Sequence, residues 1–431
     1  MLSKYSFLPL LFILVSSTFA FGSEPAAALA RKAVSEKSVE SAAAIEELRT
    51  QGPAGLETLM TTYAAEIQEH IANPKQTSVE WQRITKALDA VSQQKNSYLS
   101  GLYWYTDLKE ARRVAKVSGK PILSLRLLGK LSEELSCANS RYFRTVLYPD
   151  AAISAVLREH FVLHWQSVRP APVITIDFGD GRKLERTITG NSIHYVLNSD
   201  GRLLEAIPGL YGPKAFLRSL NSSEALFQSL KGKNEQEARF LRRTYYEKRM
   251  KEINTAWIQD TTRIGGKLPQ GFSLMTDETG TAIAIMPLAI TKMYSETSML
   301  NAMANSAERL AQFTDEDAWK KIALLHIDDA RLDDRSLSLI KRQHASASEG
   351  DLWNLTHRFE NLISLDSVRN EYMLRPKLYP WLLVDASSSD LEKFNDKVYK
   401  DLFLTPGSDP WLGLLVPDAY TAIDNAGVKK P

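Results

Sequence analysis

The chain has 431 residues, with 53 Lys plus Arg against 51 Asp plus Glu, and a single Cys. A charge balance this close to neutral gives no bulk electrostatic case for binding nucleic acid, and one thiol can close no internal disulfide. The length suffices for a large buried core shared among about two or three domains.

The opening segment differs from everything after it. Lys4 precedes an apolar run from Tyr5 to Ala20 that leads to small residues at Thr18 and Ala20, or at Ala20 and Gly22. This is the pattern of a secretory signal peptide, so a periplasmic or secreted protein is expected, with a mature chain beginning close to Phe21 or Ser23. The alternative, a retained anchor, is disfavoured by the short stretch and its cleavable end. No Cys follows the run, which excludes a cysteine-linked lipoprotein. No later segment is long and apolar enough to span a bilayer, so stable membrane insertion after cleavage is not expected.

From Glu24 to about Ser97 the pattern is helical: Pro25 to Thr50, Leu56 to Ile71 and Ser78 to Val91, with Ser78 and Glu80 as a helix start. A small antiparallel helical layer is expected there, as a packing or spacer element. The middle alternates strand and helix signals. Asp107 to Val117 reads as a helix, and Ile122 to Leu128 is an apolar run broken by Ser124 and Arg126, as suits a central strand covered on both faces. A helix from Arg141 to His160 is interrupted at Tyr148-Pro149-Asp150, and Phe161 to Trp165 is the next strand. Gly179-Asp180-Gly181 joins Val173–Asp177 to Lys183–Ile188 in a hairpin, and a second hairpin runs from Ile193 to Ile207 through Asn198-Ser199-Asp200-Gly201. Pro213 to Leu220 closes the unit as a helix. Beyond it the chain is helical again, over Glu235–Asn254, Glu278–Phe313, Asp317–Leu324, Asp334–Arg342, Asp351–Leu365 and Asp390–Leu402, with breaks at Gly265-Gly266 and Leu404 to Gly407.

Cys137 stands in Cys137-Ala138-Asn139-Ser140, where the strand-like run gives way to a helix. A thiol at a helix N-terminus meets the positive end of the macrodipole and unpaired backbone N–H groups, which favour its thiolate; the equal alternative is a buried, inert small hydrophobe. With Trp104, Asp107, Ala111, Ala115 and Gly119-Lys120-Pro121-Ile122 before it, and Asn198 to Gly201, Gly209 and Phe216-Leu217 closing the segment, this middle region resembles an exported thioredoxin-like domain. The resemblance implies an α/β fold, a thioredoxin-like central sheet flanked by helices. In active members it also implies dithiol–disulfide exchange, with Cys137 as the attacking thiol. The chain departs from the family in three ways. Ser140 occupies the position of the resolving Cys, giving a Cys-x-x-Ser monothiol. Asn191-Ser192 stands where the family places a cis-proline beside the substrate, so Ser192 is the matching substrate-binding position. Lys130 to Ser136 lengthens the loop before Cys137, and the first hairpin replaces a helix. The resulting division is 1–22 signal peptide, 23–98 N-terminal helical region, 99–232 thioredoxin-like domain and 233–431 mostly helical C-terminal domain.

Other constellations read more plainly. His160, His164 and His194 lack the spacing of a metal site and read as hydrogen-bonded histidines; no metal or other cofactor is expected. Asp328-Asp329 and Asp333-Asp334 around Arg331 and Arg335 read as a salt-linked helix junction rather than a calcium loop. Arg242-Arg243, Tyr245-Tyr246 and Lys248-Arg249 read as one helix with a solvated face, and Asp409 to Leu414 as an apolar plug that docks on the helical domain. No phosphate loop, nucleophile elbow or dinucleotide fingerprint is present.

Two functions follow from this reading. One is an interaction or scaffold module of the cell envelope with weak or no oxidoreductase turnover, acting on an extracytoplasmic protein partner. The other is a monothiol exchange protein in which Cys137 forms mixed disulfides that an external thiol resolves. The first is favoured because both the second thiol and the cis-proline are missing. Glu133 and Glu134 bear on the choice as well, since carboxylates near Cys137 would disfavour a thiolate.

Overall fold

Local chemistry sets the helix starts. In the computed structural model, which describes residues 23–73, 78–187, 190–269, 273–276, 282–285, 296–385, 390–405 and 428, the first layer is five helices: α1 (Ser23–Ala33), α2 (Ser38–Thr50), α3 (Pro53–Thr62), α4 (Ala64–Ala72) and α5 (Val79–Ser92). The Ser78 hydroxyl accepts the Trp81 N–H at 3.0 Å, capping α5 as its sequence predicts. The expected single helix Pro25–Thr50 is two, because the Ser35 hydroxyl accepts the Lys37 N–H at 3.2 Å and donates to Glu40 at 2.9 Å. Such local side-chain bonding competes with the helical ladder. Leu56–Ile71 likewise divides, at Tyr63. The predicted signal peptide, 1–22, lies outside the described residues.

Helix α6 (Leu108–Ser118) starts on the Asp107 carboxylate and stops at Gly119, whose φ of +68° is the left-handed C-terminal turn. Strand β1 (Ile122–Leu128) follows and is buried along its whole length. Helix α7 (Ala138–Tyr142) passes into a π-helical turn, Phe143–Leu147. Helix α8 (Ala151–His160) then restarts on Asp150, whose carboxylate accepts the Ala152 and Ile153 N–H groups at 3.0 Å each. These helices carry the chain to β2 (Val162–Arg169), parallel to β1, a pairing that needs such a crossover. An outlying hairpin, β3 (Val173–Asp177) and β4 (Lys183–Thr187), precedes β5 (Ser192–Leu197) and β6 (Leu203–Pro208). The main sheet has the order β2-β1-β5-β6, with β5 antiparallel to both neighbours, so Ile122–Leu128 is central as its apolar run predicts.

Side chains alternate across β1. Leu123, Leu125 and Leu127 enter one core with Cys137, Phe143 and Phe216. Ile122 enters the other, which is continuous with the N-terminal helices and with the C-terminal helices described next.

Helices α9 (Pro213–Leu230) and α10 (Glu235–Arg263) extend beyond their expected ends at Leu220 and Asn254. A short hairpin, β7 (Ser273–Thr276) and β8 (Ala282–Ile285), corrects the helix expected from Glu278, and α11 (Glu296–Phe313) begins only after it. There follow α12 (Glu316–Leu325), α13 (Asp334–Gln343) and α14 (Glu349–Arg369), then the π turn Asn370–Leu374 leading into α15 (Arg375–Asp385). Helix α15 has no counterpart in the sequence reading, because Pro380 lies inside it. Proline costs a helix interior about 3 kcal/mol. Leu378, Tyr379 and Leu382 are fully buried, and each such side chain contributes about 1.5–3 kcal/mol, which outweighs the proline. Helix α16 (Leu391–Lys397) and the π turn Val398–Leu402 complete the described chain apart from a few residues. The predicted apolar plug Asp409–Leu414 lies outside the described residues.

Candidate functional site

The strand-to-helix junction around Cys137 is built by the backbone. Gly129, with φ +74°, turns the chain out of β1; a Cβ there would lie 3.2 Å from the Ser136 Cα. The loop folds back until the Cys137 N–H donates to the Leu128 carbonyl at 3.3 Å. Cys137 then caps α7, its Sγ accepting the Ser140 N–H at 3.4 Å.

The sequence-predicted residues are brought together here. Ser192, the first residue of β5, accepts a 2.8 Å hydrogen bond from the Asn139 side chain, which links the Cys-x-x-Ser turn to the start of β5. No peptide bond among the described residues is cis. Ser140 is buried, and its hydroxyl has no hydrogen-bond partner among the described residues. Gly190 fits against Asn139, where a Cβ would meet the side-chain oxygen at 2.7 Å.

The thiol itself is sealed. Cys137 is 0% exposed, and burial pushes its pKa up, against the lowering pull of the Ser140, Leu128 and Asn139 hydrogen bonds and of Arg141. The macrodipole reading predicts the opposite direction. The difference arises because Cys137 lies inside a core to which distant segments contribute, a late helical segment among them. Tyr399 joins the same core and donates to the Asn191 carbonyl at 3.1 Å, while Asn191 donates to the Thr405 hydroxyl at 2.9 Å. Burial, and then the nearby Cys137, raise the Tyr399 phenol. Arg126, the cation inside the apolar β1, binds Gln166 and pairs with Glu392 of α16 at 2.5 Å, and Tyr195 donates to Asn395 at 3.2 Å.

The histidines are apart from one another in their bonding. His160 meets Glu224 at 2.7 Å, His164 meets the Ser124 hydroxyl at 2.8 Å, and His194 meets the Tyr148 hydroxyl at 2.8 Å. Burial lowers His194 to about 3, and burial with the Arg126 charge lowers His164 to about 3. Glu134 pairs loosely with Lys95 at 3.6 Å and Arg144 at 3.7 Å, and Glu133 pairs with Lys130 at 2.9 Å. The acidic doublets form a junction: Asp329 binds Arg218 at 2.5 Å, and Asp333 caps both α13, through Ser336, and α8, through the Ala151 N–H at 3.0 Å. Tyr245 and Tyr246 of α10 face inward, while Phe240 is exposed. Tyr245 donates to Glu205 at 2.7 Å, and Tyr246 stacks on Tyr379.

One constellation was invisible in the sequence. The buried Asp260 carboxylate holds His326 Nε2 at 2.6 Å and the Tyr372 hydroxyl at 2.7 Å, beside a cleft of about 250 Å³ lined by Arg218 and Arg249. A carboxylate behind an imidazole orients a general base. Both serine hydroxyls lining this cleft are committed: Ser367 donates to the Ile363 carbonyl at 2.6 Å and accepts the Gly212 N–H at 2.7 Å, and Ser219 accepts from Arg375 at 2.9 Å. No signal could have joined Asp260, His326 and Tyr372, because they lie on three separate segments, α10, the turn after α12 and the π turn 370–374.

Comparison of the chain with protein-family models, curated proteins and solved structures returns no match.

Proposed function

We propose that this chain is an extracytoplasmic thioredoxin-like protein that serves as an interaction scaffold and does not turn over disulfides. A parallel pair crossed over by the Cys137 helix, then an antiparallel hairpin and a closing helix, follows the order that the resemblance implies. The observation that carries the loss of turnover is the burial of Cys137. The thiolate is the nucleophile in disulfide exchange, and here both access and ionisation are opposed while Ser140 offers no second thiol. The hairpin β3–β4 supports an interaction role, since Val173, Ile174, Ile176 and Phe178 are all exposed on it. An exposed two-stranded edge bearing apolar side chains is a surface on which a partner strand can dock.

Maleimide labelling at neutral pH tests the reading. Cys137 in the native protein should react at least about a hundredfold more slowly than in urea, the factor that an opening cost of about 3 kcal/mol imposes. Native labelling as fast as in urea, together with higher-mass species on non-reducing gels that vanish in Cys137→Ser, would establish the monothiol reading instead. Ser140→Cys should then reduce those species by supplying an internal exit.

A further inference from the structure

A second cleft lies away from Cys137, between the N-terminal helices and the β2 edge of the sheet, which Tyr105 extends by a bridge to His164. Its volume is about 730 Å³, inside the ~300–1,000 Å³ span of small-molecule sites. One wall is α3 and α4, through Leu56, Met60 and Ile71; the other is α6, α8 and the start of β2, through Val114, Leu157 and Phe161. Its charged lining is unequal: Lys120, Arg158 and Arg335 against the single carboxylate of Glu57.

None of these cations is ion-paired among the described residues; each donates to a main-chain carbonyl. Arg158 binds the Ser100 carbonyl at 2.6 Å, Arg335 the Leu99 carbonyl at 3.4 Å, and Lys120 the Arg158 carbonyl at 3.2 Å. Arg158 and Arg335 thus converge on adjacent carbonyls from two different helices. Burial and then the like charge of Arg335 depress the Arg158 guanidinium, while Glu159 offsets part of this. Both arginine side chains remain exposed at the mouth. Two guanidiniums held side by side form a fork for one carboxylate, which would relieve their repulsion. The apolar walls behind them would take a hydrocarbon chain.

We infer that this cleft binds a long-chain carboxylate, with its head between Arg158 and Arg335 and its tail between the α3–α4 wall and the sheet edge. The site is independent of the thiol and of the thioredoxin-like reading. The probe is palmitate, titrated into the full chain by displacement of the fluorescent fatty acid cis-parinaric acid. Palmitate should bind saturably and at least about tenfold more tightly than its methyl ester or hexanoate. Arg335→Gln, at an exposed position, and Arg158→Gln should each weaken palmitate severalfold without affecting the ester. Met60→Trp should weaken palmitate and parinarate alike by filling the tail channel. Circular dichroism on each variant confirms that the fold is retained. Equal affinity for palmitate and its ester, competition by inorganic phosphate as strong as that by palmitate, or unchanged binding in Arg335→Gln would each overturn the inference. So would conversion of a ligand-free oligomer to monomer by Met60→Trp, which would make the cleft a contact between copies.

Discussion

On the Cys137 sulfur two electrostatic effects oppose each other: helix N–H groups stabilise the thiolate, and removal from water destabilises it. Burial prevails because the charged form loses its hydration outright, while the hydrogen bonds from neighbouring N–H groups return only part of it. His164 and His194 obey the same rule with the opposite charge, and both are held near 3 against an ordinary value of 6.5. In the unfolded chain both protonate as pH falls through 6.5, so their contribution to stability is complete above that value and is lost progressively between 6.5 and 3. At pH 5 each should cost about 2 kcal/mol relative to pH 7. Urea unfolding at the two pH values measures the loss. In His194→Gln, whose amide can keep a bond to Tyr148, the loss should shrink by about 2 kcal/mol; an unchanged loss would show that His194 is not one of the groups responsible.

At the scale of elements, α16 and its π turn are fastened to the sheet and to the turn before β5 by Glu392 on Arg126, Asn395 on Tyr195 and Tyr399 on the Asn191 carbonyl, and Tyr399 enters the core that holds Cys137. Exposure of the thiol should therefore depend on this last element rather than on the loop that precedes the cysteine. Tyr399→Ala removes a ring from the core beside the sulfur and a hydrogen bond from the 191 turn. It should cost about 3–5 kcal/mol, as large-to-small changes of aromatic core residues do, and raise the rate of native Cys137 labelling at least about tenfold by making local opening easier. Mass spectrometry of the maleimide adduct over time follows this directly. A labelling rate equal to that of the parent protein would mean that opening occurs elsewhere, at the loop 130–136.

Across the whole molecule, the sheet is joined to the C-terminal helices through ions as well as apolar side chains. Arg375 of α15 is fully buried, 2.9 Å from Glu371 and 3.3 Å from Glu205 on β6, and Arg249 of α10 reaches Glu371 at 2.9 Å. Burial alone would raise the Glu371 carboxyl, but Arg375 and Arg249 outweigh it and hold it below the ordinary carboxylate value. The stability this confers is present above the unfolded carboxylate pKa and is lost as pH falls through the depressed one. Replacing Arg375 by Ala leaves Glu205 buried without its cation, and should cost about 3–5 kcal/mol. The denaturant midpoint should fall accordingly for probes in the sheet and in the helices together, since one core spans both. Separate midpoints for the two regions would show that the network does not couple them.

Much of the local architecture was legible in the residues. Ser78, Asp107 and Asp150 start helices in the structure through their own side-chain oxygens, and Gly119, Gly179 and Gly201 turn the chain with positive φ. The alternation and apolar continuity of Ile122–Leu128 determined a central strand, because such a run is stable only when both faces are covered. These are interactions within a few residues, so the sequence carries them in place. Helix α15 was hidden by Pro380, whose local cost is overcome only by burial against distant helices. The state of Cys137 was likewise undecidable locally: its loop is polar and long, and the core that buries it draws on distant segments, Phe216 and Tyr399 among them, the latter more than 250 residues further along the chain. The same holds for the clustering of Arg158 with Arg335 and of Asp260 with His326. Desolvation and charge proximity depend on which distant segments meet, and that is decided by packing of the whole chain, not by spacing along it.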